Sequence, residues 1–450
     1  MTSSKYLTIP AVAAGALALS AGTVRAAEPT TEELMQQIQQ LQSKVQQLET
    51  KQQALNSKDV DATVEQVLQD ADKRSQLLQM EGFTAGWTKD KGFRIQDAAG
   101  NWVLHPNFQF QFRSVTSFRH DGKHGTDDDM ENGFEIRRMK FGFNGNAFTP
   151  DLTYFFLWNT GKGDNVGGNS AGNVFLEQAW IKYFFNDDWA FRVGQIRNPV
   201  FHEMDTSSQY MMAADRSLLL NLLTGSNEAF TQAVTLVYDH KDSQVQAEVG
   251  FGDGFNSGNT DFVDKNEGAS QNWGIFGRVN FFAMGTREEY KDFTAMGNKS
   301  DLLVIGAGGD VTESGDVASY LHTVDVQWEN TAGLGLYAAY YGDYIDTSGD
   351  DIYNWGALVQ ASYMVNDRWE VFGRYDYTKL DDAVVSTGGH DEFCEISLGV
   401  NWYVGGSHAA KVTVDLNWLP NGCPADIAAL DYLATDDDEI VIRGQFQLLL

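Results

Sequence analysis

From Trp102 to the last residue, Leu450, one pattern recurs: apolar and polar residues alternate with a period of two. Between 108 and 119, Phe108, Phe110, Phe112, Ser114, Thr116 and Phe118 share one side. Gln109, Gln111, Arg113, Val115, Ser117 and Arg119 share the other. Successive side chains of a β-strand point to opposite faces, so the pattern predicts strands with one apolar and one polar, cationic face. Many runs are longer than the roughly five or six residues common in soluble sheets.

Sixteen such runs can be marked: 103–119, 134–148, 151–160, 174–185, 188–196, 230–240, 243–252, 272–283, 301–311, 318–329, 333–344, 352–365, 367–379, 391–404, 408–419 and 438–450. Tight turns at Phe148–Asp151, Asn186–Asp188, Asp239–Ser243, Asn330–Ala332, Asn366–Asp367 and Gly405–Ser407 alternate with long, acidic, Gly-rich connections. Ala283–Ser300 breaks the alternation, being too long for the short side. An even strand number with short turns at one end and long loops at the other is the sign of an outer-membrane barrel. Closure also removes exposed sheet edges. The last run supports this: Ile440, Ile442, Gly444, Phe446, Leu448 and Leu450 share a face to the end of the chain. The predicted fold is all-β, a 16-stranded antiparallel transmembrane β-barrel preceded by a short α-helical coiled coil.

The longest connection, Arg197–Ala229, carries Phe201, Tyr210 and the Leu218–Leu220 run, so it can pack. It is expected to fold inward and narrow the channel.

Four segments follow. Residues 1–26 read as a cleaved signal peptide, with Lys5, the apolar stretch Leu7–Ser20 and Val24-Arg25-Ala26 before the cut. That stretch is short of the ~20 residues a helical span needs. Residues 27–80 are helical. Leu34, Ile38, Leu41, Val45, Leu48 and Leu55 are spaced as in a coiled coil, with Gln52 at one core position. The alternative is an amphipathic helix lying on another surface. Residues 81–101 form a Gly-rich linker with a hairpin turn at Asp97–Asn101, and 102–450 form the barrel.

The formal charge of −30 excludes nucleic acid as the main partner. The acidic runs lack EF-hand spacing, and His, Ser and Asp form no nucleophile motif. No metal, no cofactor and no enzyme activity are therefore expected. Two cysteines, Cys394 and Cys423, fall near one rim, as a disulfide or as two unrelated thiols. Tyr337, Tyr340, Tyr341, Tyr344, Trp355, Tyr363, Trp402 and Trp418 read as girdle aromatics at the membrane interface.

Strand phasing places Arg113, Arg138, Lys140, Arg192, Arg278, Arg374 and Arg443 on the face opposite the apolar one, lining the pore. A charge facing lipid near the midplane would cost ~2–4 kcal/mol. In the long connection Arg197 and Arg216 are bases and Glu203, Asp205 and Asp215 acids. A ring of such bases would favour anions; the structural alternative is charge pairing, for example Arg216 with Asp215.

Four stretches carry a family likeness: GWTKDKGFRIQDAAGNWVLHPNFQFQFR; FEIRRMKFGFNG with Arg137 and Arg138; VGQIRNPVFHE followed by SSQYMMAADRSLL; and IRGQFQLLL. With them the chain resembles the phosphate-selective porin O and P family, in a form with an N-terminal coiled coil. It departs in ending on Leu450 where such strands commonly end in Phe. It also reads AADRSL where the family tends to place an acid before the Arg and an aromatic earlier, although Asp215 keeps an acid. The resemblance implies an outer-membrane homotrimer in contact with lipid, passing small hydrophilic or anionic solutes through a pore lined with basic residues. The rival readings are a structural protein tethered to another envelope layer by its coiled coil, and a barrel lipase.

Overall fold

The computed structural model describes residues 32, 35–51, 65–69, 82–88, 92–119, 130–160, 174–257, 273–385 and 389–450. The chain divides into two units, Met1–Leu78 and Gln79–Leu450. In the first, 35–51 is one continuous helix. Its Ile38, Leu41, Val45 and Leu48 side chains are all exposed. The signal-peptide stretch and the seam positions Leu34 and Leu55 lie outside the described residues.

The second unit holds the strands β1 (Phe83–Thr88), β2 (Gly92–Asp97), β3 (Val103–Arg119), β4 (Met130–Ala147), β5 (Thr149–Asn159), β6 (Phe175–Phe184), β7 (Trp189–Arg197), β8 (Phe230–Tyr238) and β9 (Val245–Gly252). They continue with β10 (Trp273–Met284), β11 (Leu302–Ser314), β12 (Val317–Glu329), β13 (Leu334–Asp346), β14 (Ile352–Asn366), β15 (Trp369–Lys379), β16 (Glu392–Tyr403), β17 (Ala410–Leu419) and β18 (Glu439–Leu449). From β3 to β18 each strand pairs antiparallel with the next, and β18 pairs back onto β3. The result is a closed sixteen-stranded barrel, its strands on the sixteen runs that the alternation marks. Leu450 and Phe108 complete the seam, each N–H donating to the other's carbonyl at 3.0 Å. Closure gives every wall strand a neighbour on both sides, which a lipid environment demands. The β1–β2 hairpin leads into β3 through the turn at Asp97–Trp102.

The faces follow the sequence pattern. Phe112, Phe141, Val193, Val234, Ile275, Val359 and Leu398 are exposed, whereas Gln111, Arg113, Gln360, Arg374, Ser397 and Asp415 are buried. Apolar groups outside and polar groups inside suit a wall whose outer solvent is lipid.

The aromatic girdle needs correction, and the cysteines take the second of their two readings. Tyr337 and Tyr341 are not girdle residues; they face inward with Ala339 and are buried. A period of two puts them on the opposite side from the exposed Leu336 and Tyr344. The two cysteines are free thiols, not a disulfide. The Cys394 thiol faces Asn421 Oδ1 at 3.8 Å, and that of Cys423 donates to the Ala425 carbonyl at 3.1 Å.

The connections also hold a reversal. On the long-loop side, β11 and β12 are joined by a tight turn through Gly315, whose φ of 61° a side chain would disfavour. On the short-turn side, the β10–β11 connection is long and folds into the lumen, burying Tyr290, Phe293 and Ala295.

Candidate functional site

The connection between β7 and β8 runs inside the barrel. Phe201, Met204, Leu219 and Leu220 pack there against Phe276, Leu321, Tyr341, Leu358 and Phe372 of the wall. A short helix, Leu218–Thr224, forms within it. Ser217 caps its start, accepting from the Leu220 N–H, and Gly225 ends it at a φ of 64°. Glu203 braces this turn by accepting from the Ser217 N–H at 2.7 Å and its hydroxyl at 2.8 Å.

Wall groups grip the loop on many sides. Lys411 Nζ donates to the Met211 carbonyl at 2.6 Å, Asn401 to Met212 at 2.9 Å and Arg374 to Asp215 at 3.0 Å. Arg278 donates to the Val200 carbonyl at 2.9 Å, and Gln447 to Gln209 at 3.0 Å. Glu395 and Asp415 accept from the Leu218 and Ala214 N–H groups at 2.9 and 3.0 Å. Two wall positions lack side chains where the loop touches. A Cβ on Gly308 would sit 2.4 Å from the Val200 oxygen, and one on Gly356 2.2 Å from Leu219 Cδ1. The segment therefore crosses the lumen instead of lining one side of it.

The charges form clusters. Asp215 accepts from Arg138 at 2.7 Å, from Arg137 at 3.3 Å and, at short range, from Arg113. Burial alone would raise the Asp215 pKa, but the three guanidinium groups outweigh it and hold the carboxyl well below the usual range. At the root of the loop, Lys140, Arg197 and Arg216 share two carboxylates. Glu177 accepts from Lys140 at 2.7 Å and Arg197 at 3.2 Å; Glu228 accepts from Lys140 at 3.2 Å and Arg216 at 3.1 Å. Arg374 donates to Glu395 at 2.6 Å, Arg443 to Asp415 at 2.8 Å and Arg278 to Asp325 at 2.7 Å. Arg192 pairs with Glu248 and lies 5.7 Å from the Trp180 ring.

The structure thus places Arg113, Arg138, Lys140, Arg192, Arg278, Arg374 and Arg443 on the lumen side, and Arg197, Glu203, Asp215 and Arg216 in the loop within it. Arg216 does not pair with its neighbour Asp215. It turns away to Glu228 and to the carbonyls of Glu203, Met204 and Thr206. Sequence reading missed Arg137, whose inward placement depends on a bulge, and the partners Glu177, Glu228 and Asp415. Period-two phasing could have found Asp415; Glu177 needed the bulge where β5 meets β6, and Glu228 the loop's path.

The β10–β11 connection reaches the loop from the other end. Tyr290 lies flat on His202, ring centroids 4.0 Å apart, and hydrogen-bonds Arg278 at 3.0 Å. A cavity of about 690 Å³, lined among others by His105, Gln109, Lys140, Gln209 and Tyr210, runs past β1 and β2 to the loop root.

The sequence model of the family Phosphate-selective porin O and P matches residues 108–274. No curated protein sequence matches the chain. Among solved structures, Salmonella typhi OmpF in complex with daunomycin superposes with a TM-score of 0.53 at 14% identity, covering 78% of this chain and 98% of that one. The anion-selective porin from Comamonas acidovorans gives 0.52 at 14%, covering 77% and 99%. OprB of Pseudomonas putida at high pH gives 0.52 at 10%, covering 77% and 94%. The chain is a closed sixteen-stranded porin-type barrel that resembles the phosphate-selective porin O and P family, whose match spans β3 to the start of β10 and so takes in the whole lumen-crossing loop.

Proposed function

We propose that the protein is an outer-membrane porin, a passive diffusion channel for small hydrophilic solutes with a preference for anions. One observation carries the preference: at the root of the loop three bases, Lys140, Arg197 and Arg216, share only two carboxylates, Glu177 and Glu228. The cavity that enters past β1 and β2 reaches Lys140. An anion arriving there meets the Lys140 ammonium, with Arg197 and Arg216 behind it on the same two carboxylates, and Arg presents two donors in a plane to an oxyanion. The carboxylates keep each contact weak, so a solute that enters can leave. Elsewhere Arg278, Arg374 and Arg443 are each paired with a wall carboxylate, and Arg278 and Arg374 also hold the loop. Transport on this reading runs down a gradient with no covalent step.

The exposed apolar residues of the helix at 35–51 support self-association, which fits a homotrimer. The same stripe would also serve a structural reading, in which the helix ties the barrel to another envelope layer. Residues 1–26 would direct export and be removed.

The test is swelling of liposomes that carry the purified protein in small neutral sugars and in sugar acids of similar size. Faster entry of the acids supports the proposal. Equal exclusion of both by a folded barrel overturns it.

A further inference from the structure

The connection between β17 and β18 dips into the lumen as a small hairpin, with bridges Cys423↔Thr435 and Ile427↔Tyr432. Its Leu430 and Tyr432 side chains pack with Leu218 of the lumenal loop and with Phe393, Leu419 and Val441. At the tip, three successive residues each present an oxygen to a different arginine. The Ala429 carbonyl accepts from Arg137 Nη2 at 2.8 Å and the Leu430 carbonyl from Arg443 Nη1 at 3.1 Å. The Asp431 carboxylate accepts from Arg113 Nη1 at 2.6 Å. Asp431 has a φ of 61°, the left-handed region, which Asp enters more readily than most residues other than Gly. The Tyr432 hydroxyl beside this tip is buried without a hydrogen-bond partner.

Three oxygens on three guanidinium groups is the arrangement an oxyanion would adopt. We propose that this tip is an internal competitor: Asp431 occupies the face of the Arg113, Arg137 and Arg443 cluster that an anionic solute takes when the tip lifts. The inference rests on the porin reading and adds a regulation to it. With the tip raised, Arg113, Arg137, Arg138 and Arg443 face Asp215, Asp415 and, at 3.7 Å from Arg113, Glu135. The cluster then has an excess of positive charge. With the tip down, a carboxylate tethered to the same chain competes at a high effective concentration, and a free anion binds weakly.

The experiment is block of current by inorganic phosphate in planar bilayers, with full-length wild type, Asp431→Asn, Asp431→Gly and the exposed-loop control Asp438→Asn. Asp431→Gly suits the left-handed backbone and is the second variant in case Asp431→Asn does not fold. The expected result is a half-blocking concentration lower by about tenfold in both Asp431 variants, with Asp438→Asn like wild type. Unchanged block in conducting, folded Asp431 variants overturns the competitor and leaves the channel reading standing. Failure of both Asp431 variants to fold assigns the contact to architecture and overturns it as well. No conductance from any folded protein overturns the channel reading together with the competitor.

Discussion

Arg137 and Arg138 are neighbours in sequence, yet both side chains enter the lumen and meet Asp215, at 3.3 and 2.7 Å. In a regular strand one of them would face lipid. The register between β3 and β4 shifts here, from Gln111↔Arg138 to Phe112↔Ile136, so Arg137 is an extra residue on the β4 side. Such a bulge lets two consecutive residues share a face.

Asp215 is the hub of that arrangement. Asp215→Asn leaves Arg113, Arg137 and Arg138 around a neutral amide. Breaking a buried charge pair costs about 3–5 kcal/mol. The expected outcome is a lower unfolding temperature of the purified barrel, read by circular dichroism. The variant that still folds should show a higher relative permeability to Cl⁻.

Gly356 is a socket for the lumenal helix, because a Cβ there would collide with Leu219 Cδ1 and the Tyr377 oxygen. Gly356→Ala should displace the helix and destabilise the barrel by about 1–3 kcal/mol, the usual cost of overpacking. Gly444→Ala, which meets nothing within 4 Å, is the control. Single-channel conductance should change in the first and not in the second.

His202, on the lumenal loop, has its pKa lowered to about 4, by burial first and by Arg278 second, against the opposing Asp325 and a hydrogen bond to Gln327. Its folded form therefore favours the neutral ring. On acidification the unfolded chain takes up the proton first, so this group's stabilisation falls as pH drops from about 6.5 to about 4. His202→Gln should flatten that part of the stability–pH curve, with unfolding temperature measured across the interval.

The helix at 35–51 leaves Ile38, Leu41, Val45 and Leu48 exposed. Replacing these four by Ser should lower the oligomer mass seen by light scattering while each barrel still conducts. Unchanged mass would assign oligomerisation to the barrel wall.

The wall was the legible part of the sequence. Period-two alternation from Phe108 to Leu450 is imposed by lipid on one side and water on the other, so strand positions and facing could be read residue by residue. Arg113 and Arg443 were placed inward on that logic. What the pattern could not carry was anything set by a break in period or by a loop's path. Arg137 needed the bulge. The pairing of Arg216 with Glu228 needed the fold of the lumenal loop. Tyr290 reaches His202 because a connection on the short-turn side folds inward, and the length of Ala283–Ser300 was its one trace in the sequence. Tyr337 and Tyr341 were misplaced because aromatic identity was weighed above parity.

On the proposed function the barrel is a passive channel that prefers anions. The most direct measurement is the reversal potential of the purified full-length protein in a planar bilayer under a KCl gradient. An anion-preferring channel gives ohmic conductance and a potential of the sign that marks Cl⁻ as the more permeant ion, smaller after Lys140→Gln. A cation-selective potential, or no conductance from folded protein, would contradict it.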